Sequence, residues 1–251
     1  MSGKVYLVGA GPGAADLLTL RAARLLADAD IVFHDALVPA EILAVAAKAQ
    51  KLPVGKRCGR YATAQRFINK RLADAARQHR VVVRLKGGDP MLFGRAHEEL
   101  AFLNARNIPV EVVPGVTAAS AASADLGISL TRRGVARSVA FVTPRSGEGE
   151  APSAWVQAAL AADTVAIYMG AGQSAAIAQA LIGAGKRADT PVAIVENASL
   201  PEQRTVYGLL GDLSALAGRL SAGPALIVLG EALRDAVVAA RQSTGRRSLA
   251  R

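Results

Sequence analysis

The chain has 251 residues, 51% of them hydrophobic and 20% charged, with a formal net charge of +10. That is ample apolar material for one large or two small domains, and no uninterrupted apolar stretch nears the ~20 residues that span a bilayer, so no membrane partner is expected. The single cysteine, Cys58, excludes an internal disulfide, and His34, His79 and His97 share no ligand spacing with it, so no metal site is expected. The opening "MSGKVYLVG" enters a strand pattern without a basic n-region, which points to a cytoplasmic address.

In chain order, the strand "KVYLVG" leads into a helix over "DLLTLRAARLLADA", a second strand in "DIVFHDALV", a helix around "AEILAVAAKA" and a short strand in "KLPVG". A helix in "AQRFINKRLADAARQHR", the strand "VVVRLKGGDP", a helix in "GRAHEELAFLNARN" and the strand "PVEVVPG" follow. This is α/β alternation with buried strands. The polar stretch "ISLTRRGVARS" breaks the pattern, and a second set of strands begins with "VAFVTP" and continues through "TVAIYMG", "PVAIVEN", "RTVYG" and "PALIVLG". Two α/β domains are therefore expected, residues 1–130 and 131–240, with a boundary near Ser129 to Arg133 and a cleft between the two.

The charge invites a nucleic-acid reading. Residues 241–251, "RQSTGRRSLAR", hold four arginines and no acid, and read as a disordered basic tail; subtracting them from +10 leaves +6 for the folded part. The remaining basic residues are scattered, without aromatic interleaving, so no nucleic-acid partner is expected. A small polyanionic substrate uses the same charge.

Two glycine loops carry the chemistry. "GAGPGA", with Gly9, Gly11 and Ala14, formally fits a dinucleotide fingerprint, and Asp35 lies where a ribose-binding acid would be. Against that reading, Pro12-Gly13 is a turn dipeptide, which places the next helix nearer Asp16 and takes its N-terminus away from a bound pyrophosphate. In "RLKGGDPMLFGR", Gly87 and Gly88 open the backbone to close approach, and Asp89 is either a ligand acceptor or a turn-forming side chain. Two such loops at the ends of parallel strands define one crevice.

In this order, "VYLVGAGPG", "DLLTLRA", "HDALV", "VGKRCG", "RLKGGDPMLFGR", "VPGVTAASA", "IYMG" and "PVAIVEN" resemble the tetrapyrrole methyltransferases over roughly residues 4 to 232. The "DALV" and "GKR" pieces resemble the members that methylate uroporphyrinogen III more than those acting on later corrin precursors. The resemblance implies a fold of two α/β domains of the tetrapyrrole methyltransferase type, a homodimer, and S-adenosylmethionine as methyl donor. It further implies two methylations of uroporphyrinogen III, on rings A and B, giving precorrin-2 for cobalamin or siroheme.

Carried over by position, the resemblance implies a cofactor pocket lined by Pro12, Gly87, Gly88, Asp89, Leu92, Thr117, Ala118, Met169, Ala198 and Ala225. It puts a proton acceptor at Asp35 and a proton donor at Lys56. On the residues alone, Asp35 could equally cap the turn after the second strand, Met169 could be core, and Lys56 could bind a carboxylate. Arg57, Arg60, Arg95, Arg132 and Arg133 are candidates for gripping the substrate's carboxylates, since guanidinium pairs bidentately, or are solvated charges. The chain departs from the family pattern at His34, at Ala96 and His97, at Arg132 in "LTRRGVA", and at Pro144 and Arg145. A nicotinamide-dependent oxidoreductase and a basic nucleic-acid-binding protein remain the readings from other classes.

Overall fold

The computed structural model describes residues 3–54, 63–146, 153–221 and 223–249. The chain divides into two compact units, Met1–Ala118 and Ala119–Arg251. In the first lie β1 (Lys4–Gly9), α1 (Leu20–Asp28), β2 (Ile31–His34), α2 (Ala40–Val45), β3 (Gln50–Pro53), α3 (Thr63–Gln78), β4 (Val81–Lys86), α4 (Ala96–Asn104) and β5 (Val110–Val113). The strands form one sheet in the order β3-β2-β4-β1-β5, and every pair is parallel.

Alternation along each strand sorts the side chains onto two faces. Val5, Leu7, Phe33 and Val82 pack with Leu72, Ala76 and Leu103 of α3 and α4. Val8, Val32, Val83 and Leu85 pack with Leu26 of α1 and Ile42 of α2. Coverage on both faces is why these strands read as unbroken apolar runs. It also makes the polar members of β4 anomalous: Arg84 and Lys86 share the face of Val82, toward α3 and α4, and are only 3% exposed.

The second unit holds α5 (Ala118–Leu126), β6 (Val139–Val142), α6 (Trp155–Ala161), β7 (Thr164–Ile167), α7 (Ser174–Gly183), β8 (Pro191–Glu196), β9 (Arg204–Leu209), α8 (Leu213–Ala217), β10 (Ala225–Gly230) and α9 (Arg234–Leu249). Its sheet has the order β6-β7-β10-β8-β9. Only β6 and β7 are parallel; β10 runs antiparallel to β7 and β8, and β9 to β8. One core of Ile167, Ile177, Leu181, Ile194, Leu213 and Ile227 lies against it.

Three expectations change. The boundary falls at Ala118, ahead of α5, not near residue 130, because α5 is tied into the second unit: Ala119 N–H donates to the Tyr168 hydroxyl (3.1 Å) and Asp125 accepts from Ser199 N–H (2.8 Å). The polar stretch beyond it folds back on itself through paired Arg132 and Ala136 backbone. Residues 241–249 continue α9 instead of forming a disordered tail, and Arg241 reaches Asp212 at 3.0 Å. The helix placed over "DLLTLRAARLLADA" is a 3₁₀ turn at Ala15–Leu17 followed by α1 from Leu20, because the Thr19 hydroxyl accepts from Ala22 N–H (3.1 Å) and so sets the N-cap.

Candidate functional site

The carboxyl edge of the first sheet gathers the loops that follow β1, β4 and β5. Gly11 and Gly88 pair as in an antiparallel ladder: Gly11 N–H donates to Gly88 O (3.2 Å) and Gly88 N–H to Gly11 O (2.7 Å). Both need positive φ, +76° and +68°, which glycine adopts without strain. Beneath them the backbones touch. A Cβ on Gly115 would lie 2.3 Å from Gly88 O and 2.8 Å from Gly9 Cα. Asp89 pins this arrangement, one oxygen accepting from Met91 N–H (2.8 Å) and the other from Gly115 N–H (2.9 Å).

Around a Cβ at Gly88, by contrast, no atom of the described residues lies within 4 Å, and at Gly87 the only one that comes near is the Leu37 Cβ, at 3.8 Å. The two glycines therefore present bare backbone to open space, a cradle that fits a ligand lying flat against the chain. The dinucleotide geometry is missing: α1 starts at Leu20, so no α-helix N-terminus stands behind Gly9 and Gly11. Pro12, Gly87, Gly88, Asp89 and Leu92 thus share one edge with Thr117, which ends the loop after β5.

A second feature lies beside the first. An open pocket of about 240 Å³ is lined by Asp35, Val54, Gln65, Ile68, Arg84, Lys86, Phe93, Gly94 and Arg95. On its floor Arg84 distributes its donors: Nη2 to Asp35 Oδ1 (2.5 Å), Nε to Glu99 Oε1 (3.1 Å) and Nη1 to Leu85 O (3.1 Å). Glu99, fully buried, also accepts from Lys86 Nζ (2.9 Å) and Gln65 Nε2 (3.2 Å). Burial pushes the Lys86 ammonium below its usual range, and the Glu99 carboxylate opposes that. At the rim Arg95 grips Glu98 with both arms (2.6 and 2.9 Å), holding that carboxyl below its ordinary range.

The Asp35 carboxylate therefore serves an ion pair rather than the turn, which is closed by backbone when Val38 N–H donates to Asp35 O (3.2 Å). Lys56, Arg57 and Arg60 lie outside the described residues. The sequence reading missed Arg84, Lys86 and Glu99, although two cations at i and i+2 in a strand buried on both faces were a signal.

In the second unit the register aligns three other candidates. Ala225 opposes Glu196, and Ile227 opposes Ile167. The end of β7, the end of β8 and the start of β10 thus share one edge, which places Met169, Ala198 and Ala225 there, with the start of α5 tied in through Ala119 and Tyr168. Met169 is 44% exposed and takes φ +55°, so it is not core packing. Strained non-glycine backbone concentrates in such loops: Phe93 and Arg95 after β4, Met169 after β7, Asn197 and Ser199 after β8. Arg132 and Arg133 are exposed and stand apart from this edge in sequence, and Arg132 is paired with Asp235 at 2.8 Å.

A family model described as Tetrapyrrole (Corrin/Porphyrin) Methylases matches residues 4–214. The chain is 47% identical over 238 residues to the uroporphyrinogen-III C-methyltransferase of Pseudomonas aeruginosa, covering 94% of this chain and 97% of that one. It is 46% identical over 230 residues to the siroheme synthase of Zymomonas mobilis, and spans 49% of that longer protein. Among solved structures, the uroporphyrin-III C-methyltransferase of Thermus thermophilus complexed with S-adenyl homocysteine superposes with a TM-score of 0.81 at 42% identity, over 92% of this chain and 99% of that one. With a matched span that runs from β1 into α8, this chain belongs to the tetrapyrrole (corrin/porphyrin) methylases.

Proposed function

We propose that this chain transfers methyl groups from S-adenosylmethionine to ring carbons of uroporphyrinogen III, on rings A and B, giving precorrin-2. The observation that carries the reading is the near full-length likeness to a uroporphyrinogen-III C-methyltransferase, in a chain whose Gly87-Gly88 backbone offers an open cradle. S-adenosylmethionine supplies an activated sulfonium methyl. The protein's share is alignment, exclusion of water and removal of a proton.

The residues proposed to hold the cofactor are Pro12, Gly87, Gly88, Asp89, Leu92, Thr117, Ala118, Met169, Ala198 and Ala225. The bare glycine backbone fits a flat nucleoside, and the exposed thioether of Met169 is soft and adaptable. Methylating a pyrrole carbon leaves the ring cationic until a proton departs. Asp35, half-exposed at the mouth of the charged pocket, is the proposed acceptor, and Lys56 the proposed donor. Arg95 and Arg133, with Arg57 and Arg60, are proposed to bind substrate carboxylates; Arg132 would first release Asp235. The enzyme is proposed to act as a cytoplasmic homodimer, and no helix among the described residues is long and apolar enough to cross a membrane.

Anaerobic incubation with uroporphyrinogen III and S-adenosylmethionine tests the reading, with S-adenosylhomocysteine release and product mass as readouts. Two methyl groups per tetrapyrrole are expected. Parallel calorimetry should show S-adenosylhomocysteine binding without NADH or duplex DNA binding; tight NADH binding and no methyl transfer would overturn the proposal.

A further inference from the structure

Four charges alternate from the mouth of the pocket inward and beneath its floor: Asp35, Arg84, Glu99 and Lys86, each touching the next at 2.5, 3.1 and 2.9 Å. Arg84, Glu99 and Lys86 are nearly or wholly buried, and only Asp35, with 31% of its side chain exposed, meets solvent. Such a chain is costly to desolvate, and hydrophobic residues of similar volume would often be as stable. Stability alone is therefore a poor account of it.

We propose that Glu99 and Lys86 are positioning residues that act through Arg84 on Asp35, setting how strongly the one solvent-facing carboxylate of the chain holds a proton. The proposal rests on the reading of Asp35 as proton acceptor. Glu99 takes the Arg84 Nε while Asp35 takes Nη2, so the two carboxylates share one guanidinium. Lys86 neutralises part of Glu99 and so decides how much of Arg84 is left for Asp35.

Among the described residues, the other groups facing this chain are few. Gln65 of α3 donates to Glu99 and to Asn69 Oδ1 (2.9 Å), and Asn69 donates to Glu98 O. Arg95 and Glu98 at the head of α4 satisfy each other, and His34 of β2 turns Nδ1 to Asp35 O (3.1 Å). Gln65 and Asn69 are neutral and Arg95 is ion-paired with Glu98, so among the described residues Glu99 and Lys86 are the charges that touch Arg84 or its partner and can bias it most directly.

The signs are opposite for the two ends. In Glu99→Gln, two cations remain beside Asp35; the carboxylate should become the weaker base, its titration falling by about one pH unit and kcat by about tenfold. In Lys86→Met, Glu99 keeps its full charge and competes for Arg84; the Asp35 titration should rise by about one unit. The double variant Glu99→Gln/Lys86→Met removes one charge of each sign and should return the titration to within a few tenths of a unit of the parent.

The experiment follows the carboxyl ¹³C resonance of Asp35 against pH in the full chain, assigned by its absence in Asp35→Asn, together with the kcat–pH profile. Opposite displacements with restoration in the double variant support the proposal. Displacements of the same sign, or none in folded protein, overturn it, since a merely structural role would lower the melting temperature without moving the titration in opposite directions. Should Glu99→Gln fail to fold, Lys86→Met decides alone, because it removes a desolvated cation, and an unmoved Asp35 titration there overturns the proposal. If Asp35→Asn keeps its kcat, the acceptor reading falls while the resonance still reports on the network.

Discussion

Replacing Asp35 with asparagine keeps its size and removes the charge that Arg84 grips. S-adenosylhomocysteine affinity should stay within a few-fold, since the glycine cradle is untouched, while kcat falls by roughly 10²-fold, the scale of a lost general base. Calorimetry and initial rates on one preparation check both. Gly88→Val makes the complementary case. Gly88 has φ +68° with open space beyond it; Gly127, at φ +63°, is equally open. Valine at either position carries the same left-handed strain, on the order of 1–2 kcal/mol, but only Gly88→Val should abolish S-adenosylhomocysteine binding. Equal binding by the two variants would take the loop out of the site. At this scale "RLKGGDP" was legible in the sequence because glycine pairs and Asp-Pro have local conformational meaning. Arg84 and Glu99 were not, because their partnership spans a strand and a helix packed across the sheet face.

At the scale of elements, the site depends on three strand ends meeting backbone to backbone. Gly115→Ala would drive a methyl to 2.3 Å from Gly88 O, so the loops after β4 and β5 must separate. Urea denaturation should register a loss of about 1–3 kcal/mol, the usual cost of overpacking, and cofactor affinity should drop with it. Gly172→Ala, in a second-unit turn where no atom of the described residues lies within 4 Å of the added methyl, should change neither by much. The central β-strands of both units were readable from their apolar runs, whereas the edge strands β3, "QKLP", and β9, "RTVYGL", carry polar residues and are partly exposed. The 3₁₀ turn ahead of α1 was not readable, since Thr19 and not Asp16 caps the helix, its hydroxyl accepting from Ala22 N–H while Leu18 packs against the core beneath the sheet.

For the whole molecule, charge gives two expectations. The substrate KM should rise steeply with ionic strength while cofactor affinity changes little, because screening acts most on the more highly charged partner. Truncation after Gln242, which keeps the Arg241–Asp212 pair, should leave that slope unchanged; a large loss would assign the attraction to the end of α9. Acid should unfold the protein. The carboxyls of Glu98 and Glu111 are held below their ordinary value of 4.5 by Arg95 and Lys4. Their stabilisation is present above that value and is lost as pH falls through the lower folded values, so the urea midpoint should hold from pH 7 to about 5 and then decline. The sequence by itself determined the α/β class, the two sets of strands and the glycine loops, because hydrophobic period and turn chemistry are written in neighbouring residues. Only the tertiary structure decided where the units divide, that α9 continues past Arg241, and that Asp35 sits at the end of a buried chain of charges. Those depend on which side chains meet after packing, and burial alone gives such meetings their electrostatic strength.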